Sequence, residues 1–289
     1  MINKIFNVLL SEKTRKQIEI VILSIAVVSF VVHLFAIALG HYNIIEVQEN
    51  SELLKNPISA IYTPFSFILV YEVYLLIFFL PRSITTYITK QYEIITLIII
   101  RNLFKDLSNL ELSSEWFAIK NDLQFTYDIV ASLILFYLIY LFQKQGKLKH
   151  LVQQNTPDVE RFILIKKSIA VILIPLFLSL SLLSFTDWAL DLFTAQQDVS
   201  SLKSINAIFF DQFFTVLILV DVLLLLFSFY YTDKFNKIIR NSGFIVSTIL
   251  IRMSFGVKGL ISTILVLVAV LFGLAIISIH NKFEKNNID

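Results

Sequence analysis

Apolar runs of near-membrane length follow one another along this chain, separated by short polar segments. They cover residues 18–39, 62–81, 92–110, 123–143, 166–186, 205–230, 242–257 and 260–280. About 20 residues at about 1.5 Å rise per residue match the roughly 30 Å hydrocarbon core of a bilayer. The pattern predicts an all-α membrane protein with eight transmembrane helices.

One stretch recurs. Residues 71–104 read YEVYLLIFFLPRSITTYITKQYEIITLIIIRNLF, and residues 220–255 read VDVLLLLFSFYYTDKFNKIIRNSGFIVSTILIRMSF. Each places one acid, Glu72 or Asp221, inside an apolar run. Each then continues through a polar connector into a second run ending in Ile-Arg-x-x-Phe, with Arg101 or Arg252. The likeness extends upstream, where KQIEIVIL from Lys16 corresponds to KKSIAVIL from Lys166. The pattern predicts two tandem four-helix repeats, residues 1–143 and 166–289, joined by a basic linker at 144–165. An even number of spans per repeat keeps both in parallel orientation, related by an axis along the membrane normal.

Composition agrees with the membrane assignment. The chain is 57% hydrophobic and 16% charged, with mean hydropathy +0.78. A soluble domain carries about 25% charged residues. The net charge of +2 matters less than where the positive residues fall. With eight spans, 17 of the 24 Lys and Arg lie in segments 1–17, 82–91, 144–167, 231–242 and 281–289, and five lie in the opposite segments. The remaining two are Arg101 and Arg252. The positive-inside rule then places both termini in the cytoplasm. Laying runs 3 and 7 flat instead would turn the six-positive central loop outward. Ala36-Ile-Ala38 resembles a signal-peptidase site, but the preceding run is longer than a signal peptide, so it reads as an uncleaved anchor. The richness in Ile, Lys, Asn and Phe suggests an AT-rich genome and the inner membrane of a bacterium.

The candidate chemistry lies within the spans. A charge at mid-membrane costs at least about 2.5–3.5 kcal/mol, so such groups pair or face a cavity. Counted from the polar connectors, Glu72 and Arg101 are expected at one depth on antiparallel neighbouring helices, and Asp221 and Arg252 likewise. Arg suits such a pair because it stays charged and can grip a carboxylate with two donors. These four residues are the candidates for an ion path or gate, and they also serve as salt bridges that fix helix register. Asp128 and Asp211, near the outer ends of spans 4 and 6, are candidates for an acidic entrance that attracts cations.

Other residues read more plainly. His33 is a hydrogen-bonded packing residue. Glu19 pairs with a nearby lysine. Lys90 and Glu93 with Tyr87 and Tyr92 form an interfacial belt, and Trp116 and Trp188 anchor the opposite interface.

Several classes of function are excluded or unsupported. Without cysteine there is no disulfide, thiolate metal site or cysteine nucleophile. The scattered histidines have no metal-ligand spacing. No Gly-rich phosphate loop, nucleophile elbow or HExxH occurs, so neither an enzyme nor a bound cofactor is expected. Nucleic-acid binding has no support. A voltage-sensing helix needs several arginines at three-residue spacing, and span 4 has none within it.

The expected function is passage of an ion or small solute, as a channel or a proton- or cation-coupled carrier. The alternative is a non-transporting membrane subunit or effector that works through a partner. The expected partners are the bilayer, an inorganic ion or small solute, and a second copy or a membrane partner subunit.

Overall fold

The computed structural model describes residues 2–42, 57–107, 120–147, 157–194, 200–231, 234–257 and 259–286. Among these the chain is helical throughout. A short amphipathic helix α1 (Ile2–Leu9) leads into α2 (Glu12–His41), and a 3-10 turn (Pro57–Ile61) leads into α3 (Tyr62–Phe79). Then come α4 (Ile84–Leu107), α5 (Lys120–Gly146), α6 (Pro157–Thr194), α7 (Ser200–Tyr231), α8 (Phe235–Phe255) and α9 (Leu260–Asn286).

Local sequence explains where several helices begin and turn. Ser11 caps α2, its hydroxyl accepting from the Thr14 amide at 3.1 Å. Pro157 opens α6, where a missing N–H costs nothing. The α8–α9 reversal depends on Gly259, whose φ of 76° is the left-handed conformation that glycine adopts at little cost. Gly256, the other glycine of that turn, has an ordinary φ of −78°.

Among the described residues six helices are long and apolar enough to cross a membrane: α2, α5, α6, α7, α8 and α9. Helix α3 is equally apolar but shorter. Helix α4 is the most polar of the long helices, yet it lies deep in the bundle. Tyr87, Ile88, Gln91, Tyr92, Ile94, Ile95, Thr96, Ile98 and Ile99 are all buried there. The outer helices show the reverse. In the 30 residues of α2 only Ala26 and Ile37 are buried, and its valines face outward. The two most polar long helices, α4 and α8, are well buried, as is the strongly apolar α3, whereas α2 lies at the rim.

Helices adjacent in sequence pack on one another: α2 on α3, α3 on α4, α4 on α5, and again α6 on α7, α7 on α8, α8 on α9. The two sets meet where α5 packs on α9, α4 on α8, and α6 on α1 and α3. Side-chain contacts mark the two ends of the bundle. Glu12 meets Arg82 at 3.1 Å, Lys166 donates to the Arg82 carbonyl at 3.1 Å, and Asn281 donates to the Gln145 carbonyl at 3.0 Å. This end, which gathers the start of α2 and the end of α9, is called the terminal end below. At the far end His33 meets Thr63 at 2.5 Å and Thr263 donates to Asp128 at 2.6 Å.

Several helices run further toward the terminal end than the apolar runs suggest. Helix α4 begins at Ile84 rather than 92, α8 at Phe235 rather than 242, and α6 at Pro157 inside the expected linker. In α8 neighbouring helices satisfy the polar side chains of the added turns, Arg240 meeting His280 of α9 at 3.1 Å and Asn241 donating to Ser228 of α7 at 2.7 Å.

Candidate functional site

Each set of helices carries the same aromatic brace at its far end. Phe65 of α3 stacks on Phe104 of α4 with ring centroids 5.4 Å apart, and Phe214 of α7 packs tilted against Phe255 of α8 at 5.1 Å. Phe104 and Phe255 are the last residues of the two Ile-Arg-x-x-Phe segments. These braces set the depth of the charges. Each Arg lies three residues before its Phe, and each acid lies seven residues beyond the facing Phe on the antiparallel helix. Arg101 and Arg252 therefore sit about one turn, roughly 6 Å, closer to the far end than Glu72 and Asp221. The sequence expectation of equal depth counted α4 and α8 from starting points too far along the chain.

That one-turn stagger separates each acid from its arginine. Glu72 is 5% exposed, and among the described residues no hydrogen bond or ion pair reaches its carboxyl group. The Arg101 charge acts on it across the stagger. Asp221 is 4% exposed and forms no ion pair with Arg252, whose Nη2 donates instead to Thr215 Oγ1 at 3.3 Å.

Asp221 finds its partners on other helices. Gln91 Nε2 of α4 donates to its Oδ2 at 3.2 Å. The Tyr87 hydroxyl, one turn before Gln91, is buried beside it without reaching hydrogen-bond geometry. The cation whose field reaches Asp221 is Lys166 of α6. Lys166 is 8% exposed, donates from Nζ to the Arg82 carbonyl, and stands 4.9 Å over the Phe162 ring. Its sequence counterpart Lys16 is exposed. The two acids thus sit in different surroundings.

The space left by the stagger in the second set is a cavity of about 20 Å³ between α4, α7 and α8. Asp221 and Gln91 lie at its terminal-end side and Arg252 toward its far-end side, with Thr248 and apolar side chains such as Ile95 and Leu217 between. A cavity of this size holds about one water, and the carboxylate, amide and guanidinium give that water polar partners. Arg252 and Asp221 therefore share a chamber without touching.

Beside the chamber the contact between the two sets is tightly closed. Tyr92 Oη and Ser247 Oγ meet at 2.7 Å, and Ser247 donates to the Ala269 carbonyl at 2.6 Å. Tyr92 is fully buried and lies edge-on to Phe142, with centroids 5.0 Å apart; Phe142 in turn lies 5.6 Å from Phe244. Gly273 makes room for the phenol, because a Cβ there would collide with Tyr92 Oη.

Asp128 is buried, and its Oδ1 takes hydrogen bonds from Thr263 at 2.6 Å and Gln124 at 2.9 Å, tying α5 to α9. Asp211 lies on α7, and its side chain is outside the described residues. Tyr87 and Tyr92 are core residues rather than members of an interfacial belt, because α4 has neighbours on both sides. Lys90 and Glu93 do pair, at 2.6 Å, and Gln143 donates to the same carboxylate. Glu19 accepts from Tyr71 at 2.9 Å and lies 3.7 Å from Arg15 rather than from a lysine.

The sequence pattern did not single out Gln91, Lys166 or Ser247. Each is a common residue type at a position that hydropathy assigns to a loop or a featureless span. Their importance comes from the facing helix. Among the described residues no group of three or more His, Asp or Glu could hold a metal ion. No protein-family model, curated protein or solved structure matches this chain.

Proposed function

We propose that this chain is a membrane carrier for a small cation or solute, working through the chamber between α4, α7 and α8. The observation that carries the reading is Asp221: a carboxyl group buried inside an apolar bundle, at the closed side of a small, mostly apolar chamber that it shares with Arg252. Intramembrane ionisable residues of this kind mark ion and substrate paths. A chamber with room for about one water suits a carrier that binds and releases its cargo better than an open channel.

In this reading all eight long helices cross the membrane as two tandem repeats in parallel orientation, with both termini in the cytoplasm of a bacterial cell. The matching Phe65–Phe104 and Phe214–Phe255 braces support the repeat, as does the one-turn stagger common to both hairpins. The self-paired contacts of α4 with α8 and α5 with α9 are those expected about an axis along the membrane normal. Asp128 acts in this scheme as a tie between halves rather than as an entrance.

The experiment is a flux measurement on purified protein in liposomes, with H⁺, Na⁺, K⁺ and anion gradients imposed in turn. Flux that depends on the protein and is lost in Asp221→Asn supports the reading. Impermeability to every ion tested, at all voltages, would remove it.

A second reading, a non-transporting membrane subunit, draws on the aromatic outer faces. Helix α5 turns Phe136, Tyr137 and Tyr140 outward, and α7 turns out Phe229 and Tyr230. Co-purification of a stoichiometric membrane partner, together with absence of flux, would favour it.

A further inference from the structure

We propose that the species bound in the chamber is a proton, held on Asp221 and exchanged with water at the far end past Arg252. This rests on the carrier reading above and names its cargo.

The chamber discriminates by ligand number. A metal cation entering a protein must replace its hydration shell with several oxygens. The lining offers few: the Asp221 carboxylate, the Gln91 amide oxygen and the Thr248 hydroxyl, which already donates to the Ile245 carbonyl at 2.9 Å. The other lining residues are apolar side chains and the Arg252 guanidinium. Volume points the same way, because about 20 Å³ accommodates one water but not a cation with the waters needed to complete its shell. A proton needs a single oxygen and brings no shell. Arg252 repels every monovalent cation alike, so it does not alter this ranking.

The two sides of the chamber differ. The Arg252–Thr215 contact is exposed, and Arg252 lies within one turn of the end of α8, where a long side chain reaches interfacial water. The Gln91–Asp221 contact is buried. Toward the terminal end the way is closed by Tyr87 and by Lys166, which is tethered to the Arg82 carbonyl in the α3–α4 turn. The charged and titratable groups facing Asp221 are thus Tyr87 from α4, Lys166 from α6 and Arg252 from α8, with Gln91 as its hydrogen-bond donor.

In the loading step a hydronium ion at the far end gives one proton to an Asp221 oxygen, leaving water and a neutral carboxyl group. Release on the terminal side returns the proton to water and regenerates the carboxylate. Lys166, held at the Arg82 carbonyl, is the cation whose field reaches that carboxylate from the terminal end.

The test uses the full chain in liposomes, with an entrapped pH-sensitive dye and matched isotope uptake of Na⁺ and K⁺. Infrared difference spectra of the same protein are recorded between acid and alkaline buffer. Proton uptake is expected to follow the pH gradient unchanged when Na⁺ and K⁺ are replaced by a bulky organic cation. Asp221→Asn should reduce it to the protein-free level, while Asp221→Glu should retain part of it. A protonated-carboxyl band that titrates in wild type should be absent from Asp221→Asn. Na⁺ or K⁺ flux with no Asp221 band would overturn the proton site and leave the carrier reading standing. A titrating Asp221 band without any flux would overturn the carrier reading and leave the proton site standing. Should Asp221→Asn fail to fold, Asp221→Glu and the cation replacement still decide: a shifted band with proton uptake supports the site, and uptake that requires Na⁺ or K⁺ removes it.

Discussion

Gln91 of α4 donates to Asp221 of α7 across 3.2 Å, although 130 residues separate them in the chain. The acid of the second hairpin is held by the first, so the chamber belongs to neither half alone. Gln91→Leu removes the donor and leaves the carboxyl group buried. A hydrogen bond to a charged group contributes about 1.5–3 kcal/mol. Unfolding in mixed detergent, followed by circular dichroism, should show a loss of that order, and an unchanged midpoint would mean that the bond adds nothing.

Gly273→Ala should destabilise the interface between the sets by about 1–3 kcal/mol, the usual cost of overpacking. The added methyl group collides mainly with Tyr92 Oη. Tyr92→Phe removes that oxygen together with its bond to Ser247. The double variant should therefore lose less than the sum of the two singles, by about 0.5–3 kcal/mol as for directly coupled residues. Additive losses in the thermal midpoints would show that the phenol and the glycine do not meet.

Asp128 offers a contrast with Asp221. Thr263→Val deletes one of its two donors and leaves Gln124. We expect a loss of about 1.5–3 kcal/mol in the same unfolding measurement, with cargo selectivity in liposomes unaltered. A change in selectivity with no change in stability would restore Asp128 as an entrance group.

Glu72 has no donor to lose among the described residues. Glu72→Gln keeps the shape and removes the cost of burying an ionisable group that has no hydrogen-bonded partner. Its melting midpoint should equal or exceed that of wild type. A clear fall would mean that the Arg101 charge, acting across the stagger, is worth more than burial costs.

The two aromatic braces give a test of the repeat. Phe104→Leu and Phe255→Leu should each forgo the ring-pair contribution of about 0.5–1.5 kcal/mol. Equal losses are expected if the braces are equivalent. A loss confined to one would leave the matching geometry without matching energetics.

The sequence by itself determined the helical class, the reversals and the segregation of charge, because these follow from local properties. A run of apolar residues must satisfy its own backbone in hydrocarbon, and only a helix does so within one segment. The Ile-Arg-x-x-Phe likeness and the placement of Glu72 and Asp221 inside apolar runs were legible for the same reason. Depth was legible only to within a turn, since hydropathy marks where apolar residues stop and not where a helix does. Helices α4 and α8 continue past that point because neighbours satisfy residues such as Gln91 and Asn241, which donates to Ser228 at 2.7 Å. Only the tertiary structure decided that Asp221 answers to Gln91 and Lys166, that Lys166 is buried while Lys16 is exposed, and that Arg252 shares a chamber with an acid it does not touch. Each depends on which helix faces which, a relation set by packing between segments far apart in the chain.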